Sequence, residues 1–413
     1  MKSQKAKKKN PNRNPAFFNN VTMKQFNNVL LFLFILLLPT QLGKHFFFDF
    51  SYLSGIRVDY LAPTIYLTDI LAFILISLNL KSVFKSFANK RIFFLLLIFL
   101  INFLAAENKY ITLYRYIKIF ELTAIFIIFK QLSLSKSKNI PVYSFLIGSV
   151  FELFLSLMQF INKRSLQGLF YLFGERPLSL SMPGIAKASI NSVEILRPYG
   201  TFSHPNSLGG FYLVVYFFVL TNHHKISPVI KNLLLLLSSL LILLSFSKIA
   251  IIIYLFLNLV YFWKSSLKKD CQICFYSRLI ILFIISLLFL QAKTDPLTIQ
   301  KRLLLMKNSL LVIVKNIFFG VGLGNYLIVQ QQFPQRFVDV LNQPVHNIFL
   351  LLISEMGVVL TGLLVIFFFR EIANAFRNFP YIFAAILLTG LFDHYWLTLQ
   401  QNFLLIGLIF GIL

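Results

Sequence analysis

Residues 229–263 form a nearly unbroken apolar run whose only polar interruption is Ser245-Phe246-Ser247-Lys248. A helix crosses the hydrocarbon core in about 20 residues, so this run is too long for one span and should turn back at that interruption. Comparable runs recur near 27–43, 63–80, 91–106, 110–130, 140–161, 207–222, 278–292, 347–369, 379–395 and 399–413, which gives about twelve candidate spans. With 58% hydrophobic and 13% charged residues, no soluble fold of this length would keep its apolar side chains off its surface. The expected fold is therefore an all-α integral membrane protein of about 12 transmembrane helices. A basic tail, 1–26, precedes a single polytopic domain, 27–413.

A net charge of +25 would suit nucleic acid if it were clustered, but the Lys and Arg residues lie mainly in short segments between apolar runs. The tail and segments 80–91, 130–140, 222–231, 263–278 and 370–378 hold 22 of the 39 basic residues. All six fall on one side of a twelve-span layout, the positive-inside pattern, which places both termini in the cytoplasm. The partner implied is a lipid bilayer and not nucleic acid. Cys271 and Cys274 fall on a cytoplasmic segment and lack the further ligands of a zinc site, so they read as ordinary reduced thiols.

The opposite face receives two long segments, 162–206 and 293–346. Segments of this length in a compact membrane protein are usually functional or disordered. Within the second, Ile299, Leu303, Met306, Leu310 and Ile313 recur at helical spacing opposite Lys301, Asn308 and Lys315, as in a helix lying along the membrane or capping a cavity. Four patterns gather on this side: Arg197-Pro198-Tyr199-Gly200-Thr201-Phe202-Ser203-His204-Pro205-Asn206; Ser247-Lys248; Lys301-Arg302 followed by the glycine run Gly320 to Gly324; and His346-Asn347 followed by Gly357-Val358-Val359-Leu360-Thr361.

Their order, spacing and shared sidedness resemble the O-antigen ligase and polymerase family over about 162–413. The resemblance implies a bacterial cytoplasmic (inner) membrane glycosyltransferase that moves a glycan from a polyprenyl-pyrophosphate carrier to a glycan or lipid acceptor on the outer face. It further implies that His346 acts on the acceptor hydroxyl and that Arg302 binds the donor pyrophosphate. Lys248 falls where the family has an arginine after serine, a departure that keeps the charge but loses the bidentate fork. Leu360 replaces a glycine common in ligases, while Thr361 is retained.

Elementary chemistry leads to the same residues. Arg302, Arg197 and Lys248 are candidates to neutralise a departing pyrophosphate, and a neutral histidine at His346 can take the proton of an attacking hydroxyl near its ordinary pKa of about 6.5. Asn347, His204, Arg115 and Lys118 are candidate supporting groups. The outer side shows neither an Asp-x-Asp motif nor a Cys/His ligand cluster, so a metal-independent reaction without cofactors is expected. Structural readings stand beside these: His346 as a helix-capping residue, Arg302 as a snorkelling side chain, Arg197 and His204 as organisers of a turn, and Lys248 as the partner of a carboxylate. Arg115, Lys118 and Glu121 share one helix face as an ion-pair cluster, and Asp393-His394-Tyr395-Trp396 sits in an outer aromatic belt. A twelve-span permease or a non-catalytic envelope assembly protein are the competing functions. The permease would ordinarily show internal repeats, which are not detectable in this sequence. Thiol labelling checks the layout: cysteine introduced at Lys163 or Asp339 should react from outside, whereas Cys271 should react only after permeabilisation.

Overall fold

The computed structural model describes residues 15–87, 90–133, 139–190, 193–221, 227–264, 280, 283–284, 286–287, 289–290, 297–333 and 342–413. Cys271, Cys274 and Asp339 lie outside the described residues, as does much of the apolar run 278–292. The chain begins with α1 (Pro15–Leu36), α2 (Leu67–Leu78), α3 (Leu80–Phe87), α4 (Lys90–Leu104), α5 (Lys109–Ser133) and α6 (Ile140–Asn162). After the short α7 (Leu169–Leu172) come α8 (Pro205–Thr221), α9 (Pro228–Leu244) and α10 (Lys248–Lys264). The remainder comprises α11 (Leu297–Lys315), α12 (Tyr326–Gln330), α13 (Ile348–Phe367), α14 (Phe369–Asn378), α15 (Pro380–Gly390), α16 (Tyr395–Thr398) and α17 (Gln400–Ile412).

Among the described residues, α6 and α13 alone are single helices long and apolar enough to cross a membrane, and two bent pairs, α2 with α3 and α14 with α15, reach that length together. The pairs bend by 83° and 114°. Shorter apolar helices include α8, α9 and α17. The apolar runs are thus mostly helical where described.

The described residues are mostly helical, as expected, with a little strand between helices. Three short antiparallel strand pairs occur: β1 (Gly43–His45) with β4 (Thr64–Tyr66), β2 (Tyr52–Leu53) with β3 (Ile56–Arg57), and β5 (Lys187–Ile190) with β6 (Val193–Leu196). Backbone polar groups in segments too irregular for helix still need partners, and local strand pairing provides them.

The core is built around α8, which is buried on every side, with Leu208, Phe211, Tyr216 and Phe217 at 0 to 1% exposure. Gly209 lets the turn after α9 approach closely, because a Cβ there would stand 2.6 Å from Ser245 Oγ. That turn lies where the sequence places it, with Phe246 in the left-handed region at φ 50°. The amphipathic α11 packs with Leu305, Asn308, Ser309 and Val312 inward, and leaves Ile299, Leu303, Met306 and Leu310 exposed. Its apolar stripe is thus the exposed face.

Helix α13 breaks at Gly357 (φ 75°, ψ 165°), and the turn at 317–323 docks into the break. Val358 N donates to Ile317 O at 2.7 Å, Val321 N to Ser354 O at 3.1 Å and Gly322 N to Glu355 O at 2.9 Å. The buried Asn102 amide donates to Phe319 O and Glu355 O at 2.9 and 2.8 Å. Groups freed from the helix ladder are thereby paired, as apolar surroundings require. A Cβ at 357 would lie 2.4 Å from Phe318 O and 2.5 Å from Gly320 N. Gly357→Ala should cost at least about 2 kcal/mol, since both this dihedral region and the contacts exclude a side chain. Thermal unfolding in detergent should show a clear drop in Tm for Gly357→Ala and none for Gly362→Ala, whose Cβ meets open space.

Candidate functional site

Three stretches between helices meet: 197–206 leading into α8, 342–347 leading into α13, and the turn 391–394 between α15 and α16. Asn347 explains the second approach. Its Oδ1 accepts Phe349 N and Leu350 N at 2.9 and 3.0 Å as the N-cap of α13, and its Nδ2 donates to Leu391 O at 3.1 Å. It is a structural residue that sets His346 beside the 391–394 turn.

There His346 and His394 rings lie 5.1 Å apart at 67°, and the ring of Tyr60 stands 5.5 Å from His394. Ligand atoms of His346, Asp393 and His394 all fall within 4.8 Å of one another. Asp393 Oδ1 accepts His394 N at 2.8 Å and Oδ2 accepts Asn206 Nδ2 at 2.7 Å. Asn206 Oδ1 in turn accepts Arg197 Nη2 at 2.6 Å, and Arg197 Nε and Nη2 both donate to Ser245 O, at 3.1 and 2.9 Å. Arg302 Nη1 donates to Phe392 O at 3.3 Å.

The protonation of this group follows from burial. Desolvation pushes His346 down to about 3, opposed by Asp393 and reinforced by His394 and Arg302. His204 is likewise pushed to about 3, by desolvation and then Arg197, and burial lowers His394 as well. Burial also opposes ionisation of Asp393, yet its cationic neighbours outweigh it and hold the carboxyl below the usual range. Burial lowers Arg197 to about 10, which leaves it protonated. Neutral pH therefore finds three uncharged imidazoles around one carboxylate and two guanidiniums. Thr398 Oγ1 lies 3.1 Å from His394 O and 2.7 Å from His394 Nδ1, so the ring is held by this hydroxyl. His204 Nδ1 accepts Asn206 N at 3.1 Å. By contrast, His346 Nδ1 and Arg302 Nε are buried and lack a protein partner among the described residues.

A divalent cation would find three ligand atoms in His346, Asp393 and His394. It would stand beside Arg302, however, and both Asp393 oxygens already accept protein donors. The field and the free donor favour an anionic ligand.

The other expected residues separate into two groups. Lys248 begins α10, three residues beyond the carbonyl that holds Arg197, and has no ion-pair partner among the described residues. Arg115 and Lys118 do not join the histidines. Lys118 pairs with Asp69 and Glu121, the latter at 3.6 Å, and Gln400 also donates to Asp69. Arg115 Nη2 donates to Tyr60 O at 3.2 Å and lies in the field of Glu355. Both basic residues line a cavity of about 990 Å³ whose walls also include Arg57, Tyr60, Arg176 and His204 and the apolar Leu364 and Phe368. From sequence, Asp393 and His394 fall in an aromatic belt with a contribution to the acceptor pocket as the alternative, and Tyr60 and Asn206 have no individual role. The one local signal was an adjacent acid and histidine in an otherwise apolar turn.

Residues 233–367 match the O-antigen ligase family, a stretch that contains Lys248, Arg302, His346 and Gly357 but not Arg197, His204 or Asp393. No curated protein and no solved structure matches the chain. Because Asn347 caps α13 and ties it to Leu391, Asn347→Ala should destabilise the protein by about 1 kcal/mol, with Asn347→Ser recovering most of the loss. Chemical unfolding followed by tyrosine fluorescence would measure both.

Proposed function

We propose that this membrane protein, whose residues 233–367 belong to the O-antigen ligase family, transfers a polyprenyl-pyrophosphate-linked glycan to an acceptor hydroxyl at the outer face of the cytoplasmic membrane. The observation that carries this reading is the pair of buried, unpartnered groups, His346 Nδ1 and Arg302 Nε, beside Asp393. Such groups are costly to leave unpaired, and a ligand with an acidic O–H and an anionic oxygen satisfies both.

In this scheme the acceptor oxygen attacks the anomeric carbon while His346 takes its proton. The bond from that carbon to the pyrophosphate oxygen breaks, and polyprenyl pyrophosphate departs with the bonding pair. Arg302 offsets the charge that develops on the leaving group. Asp393 stabilises the imidazolium formed at His346, and Arg197 acts as a positioning residue through Asn206. The apolar limb of the cavity, lined by Leu95, Phe99, Phe120, Leu364 and Phe368, suits the hydrocarbon of the carrier.

The permease reading draws on one feature, the break in α13 near Glu355 and Arg115, which resembles the discontinuous helices of transporters. That break is stitched closed by the 317–323 turn, and the unpartnered groups at the histidine site lie at the outer end. The enzyme reading accounts for both.

His346→Ala should leave the protein inserted and folded while transfer falls about 10²-fold to 10⁴-fold, the usual worth of a positioned base. Wild-type transfer by this variant would reduce His346 to a residue of the helix start. Arg302→Lys should weaken donor use although it keeps the charge, because an ammonium lacks the guanidinium fork. The acid limb expected near 6.5 is revised by the burial of His346. A folded-state pKa of about 3 keeps the imidazole neutral as pH falls through 6.5, so kcat/KM should stay flat from about pH 7 to about pH 5. A drop centred near 6.5 would place the base in a wetter setting than this one. Chelators should leave transfer unchanged, whereas loss restored by a divalent ion would reassign His346, Asp393 and His394 to a metal.

A further inference from the structure

The outer limb of the large cavity is built unlike the rest of it. One rim is the hairpin segment 43–59, where His45 and Phe47 stack at 5.8 Å and Arg57 lies 4.8 Å from the Phe47 ring centroid. Arg57 Nε also sits 3.4 Å from Asp59 Oδ1. The facing rim is 171–177, which offers Tyr171, 53% exposed, and Arg176, whose Nη1 donates to Ser203 O at 3.3 Å. Hydrogen bonds brace the rims against each other, with Thr40 Oγ1 donating to Phe173 O at 2.7 Å and Gln41 Nε2 to Gly174 O at 3.3 Å. Tyr60 and His204 line the same cavity and connect it to the histidine cluster.

This chemistry selects among ligands. Arg57 and Arg176 both approach His45, but Arg57 is paired with Asp59 and stacked on Phe47, so the cations here are shared with a carboxylate and a ring and not offered to a phosphate alone. A hydrocarbon would be served by the apolar part of the lining, such as Leu95, Phe99 and Phe120. Aromatic surfaces set among planar groups that both donate and accept hydrogen bonds match a sugar ring, whose C–H faces are apolar and whose hydroxyls do both. We infer that the vestibule formed by Phe47, Arg57, Asp59, Tyr171 and Arg176 is a saccharide subsite that holds a sugar beyond the one undergoing transfer. The inference rests on the transferase reading for its position relative to the reaction, and the sugar can belong to the donor glycan or to the acceptor glycan.

The test uses the full chain in proteoliposomes with Tyr171→Ala, Phe47→Ala and Arg57→Ala, and with Tyr171→Phe to retain the ring. Donors with one, three or more sugars are compared at fixed acceptor, then acceptors of increasing length at fixed donor. KM should rise at least tenfold more for the long saccharide than for the single sugar in the alanine variants, with kcat changed far less, and Tyr171→Phe should recover most of the loss. Length dependence in the donor series assigns the subsite to the donor, and in the acceptor series to the acceptor. A loss equal at every length in both series overturns the inference.

A second readout is independent of transfer. Free oligosaccharides released by mild acid from donor and from acceptor are offered separately to detergent-solubilised wild-type, Tyr171→Ala and His346→Ala protein, and contact is read by saturation-transfer difference NMR. One of the two should give ring-proton signals with wild type and His346→Ala that weaken in Tyr171→Ala. Absence of signal from both would defeat the saccharide subsite, while His346→Ala protein that binds sugar and transfers normally would defeat the proposed base alone.

Discussion

A single carboxylate links distant segments of this protein. Asp393 receives one hydrogen bond from its own turn and one from Asn206, and Asn206 is joined through Arg197 to the Ser245 carbonyl. Segments far apart in the chain, the start of α8, the corner between α9 and α10 and the turn before α16, are therefore referred to one point. That point is also where His346 and His394 approach. Removing a buried charge from such a network is expensive because its partners are left unsatisfied as well. The organisation of the surface and the preparation of the site are two aspects of the same set of bonds.

Burial gives the site its chemical character. In water the three histidines would be divided between charged and neutral forms near neutral pH, and their repulsion would discourage clustering. Withdrawn from water they are neutral, and the negative charge of Asp393 is answered by Arg302 and Arg197. A charged phosphate brought here would meet oriented guanidinium donors with little competing solvent, the condition under which electrostatic stabilisation is strongest.

The sequence revealed some of this and concealed the rest for identifiable reasons. Span-length apolar runs locate the helices because hydrocarbon leaves few alternatives for the backbone. The turn at Ser245 to Lys248 was readable from one polar interruption, and His346 with Arg302 from local motifs. The hairpins at 43–66 were not readable, because their pairing is two or three residues long and carries no alternation. Asp393 was legible only as a fallback candidate, because its partners Asn206 and His346 are 187 and 47 positions distant, and no local pattern reports such contacts. The orientation of α11 was ambiguous for a different reason. Beside a bilayer an apolar stripe can face lipid as readily as protein, so periodicity gives the stripe without its direction.

The interruption at Gly357 has a mechanical consequence. It leaves His346 anchored to a half-helix, 348–356, whose length is about 13 Å, less than half of the hydrocarbon thickness. The docked turn at 317–323 ties the two halves of α13 together across the break. The place of the histidine is thereby fixed by a short capped segment and not by the full length of α13.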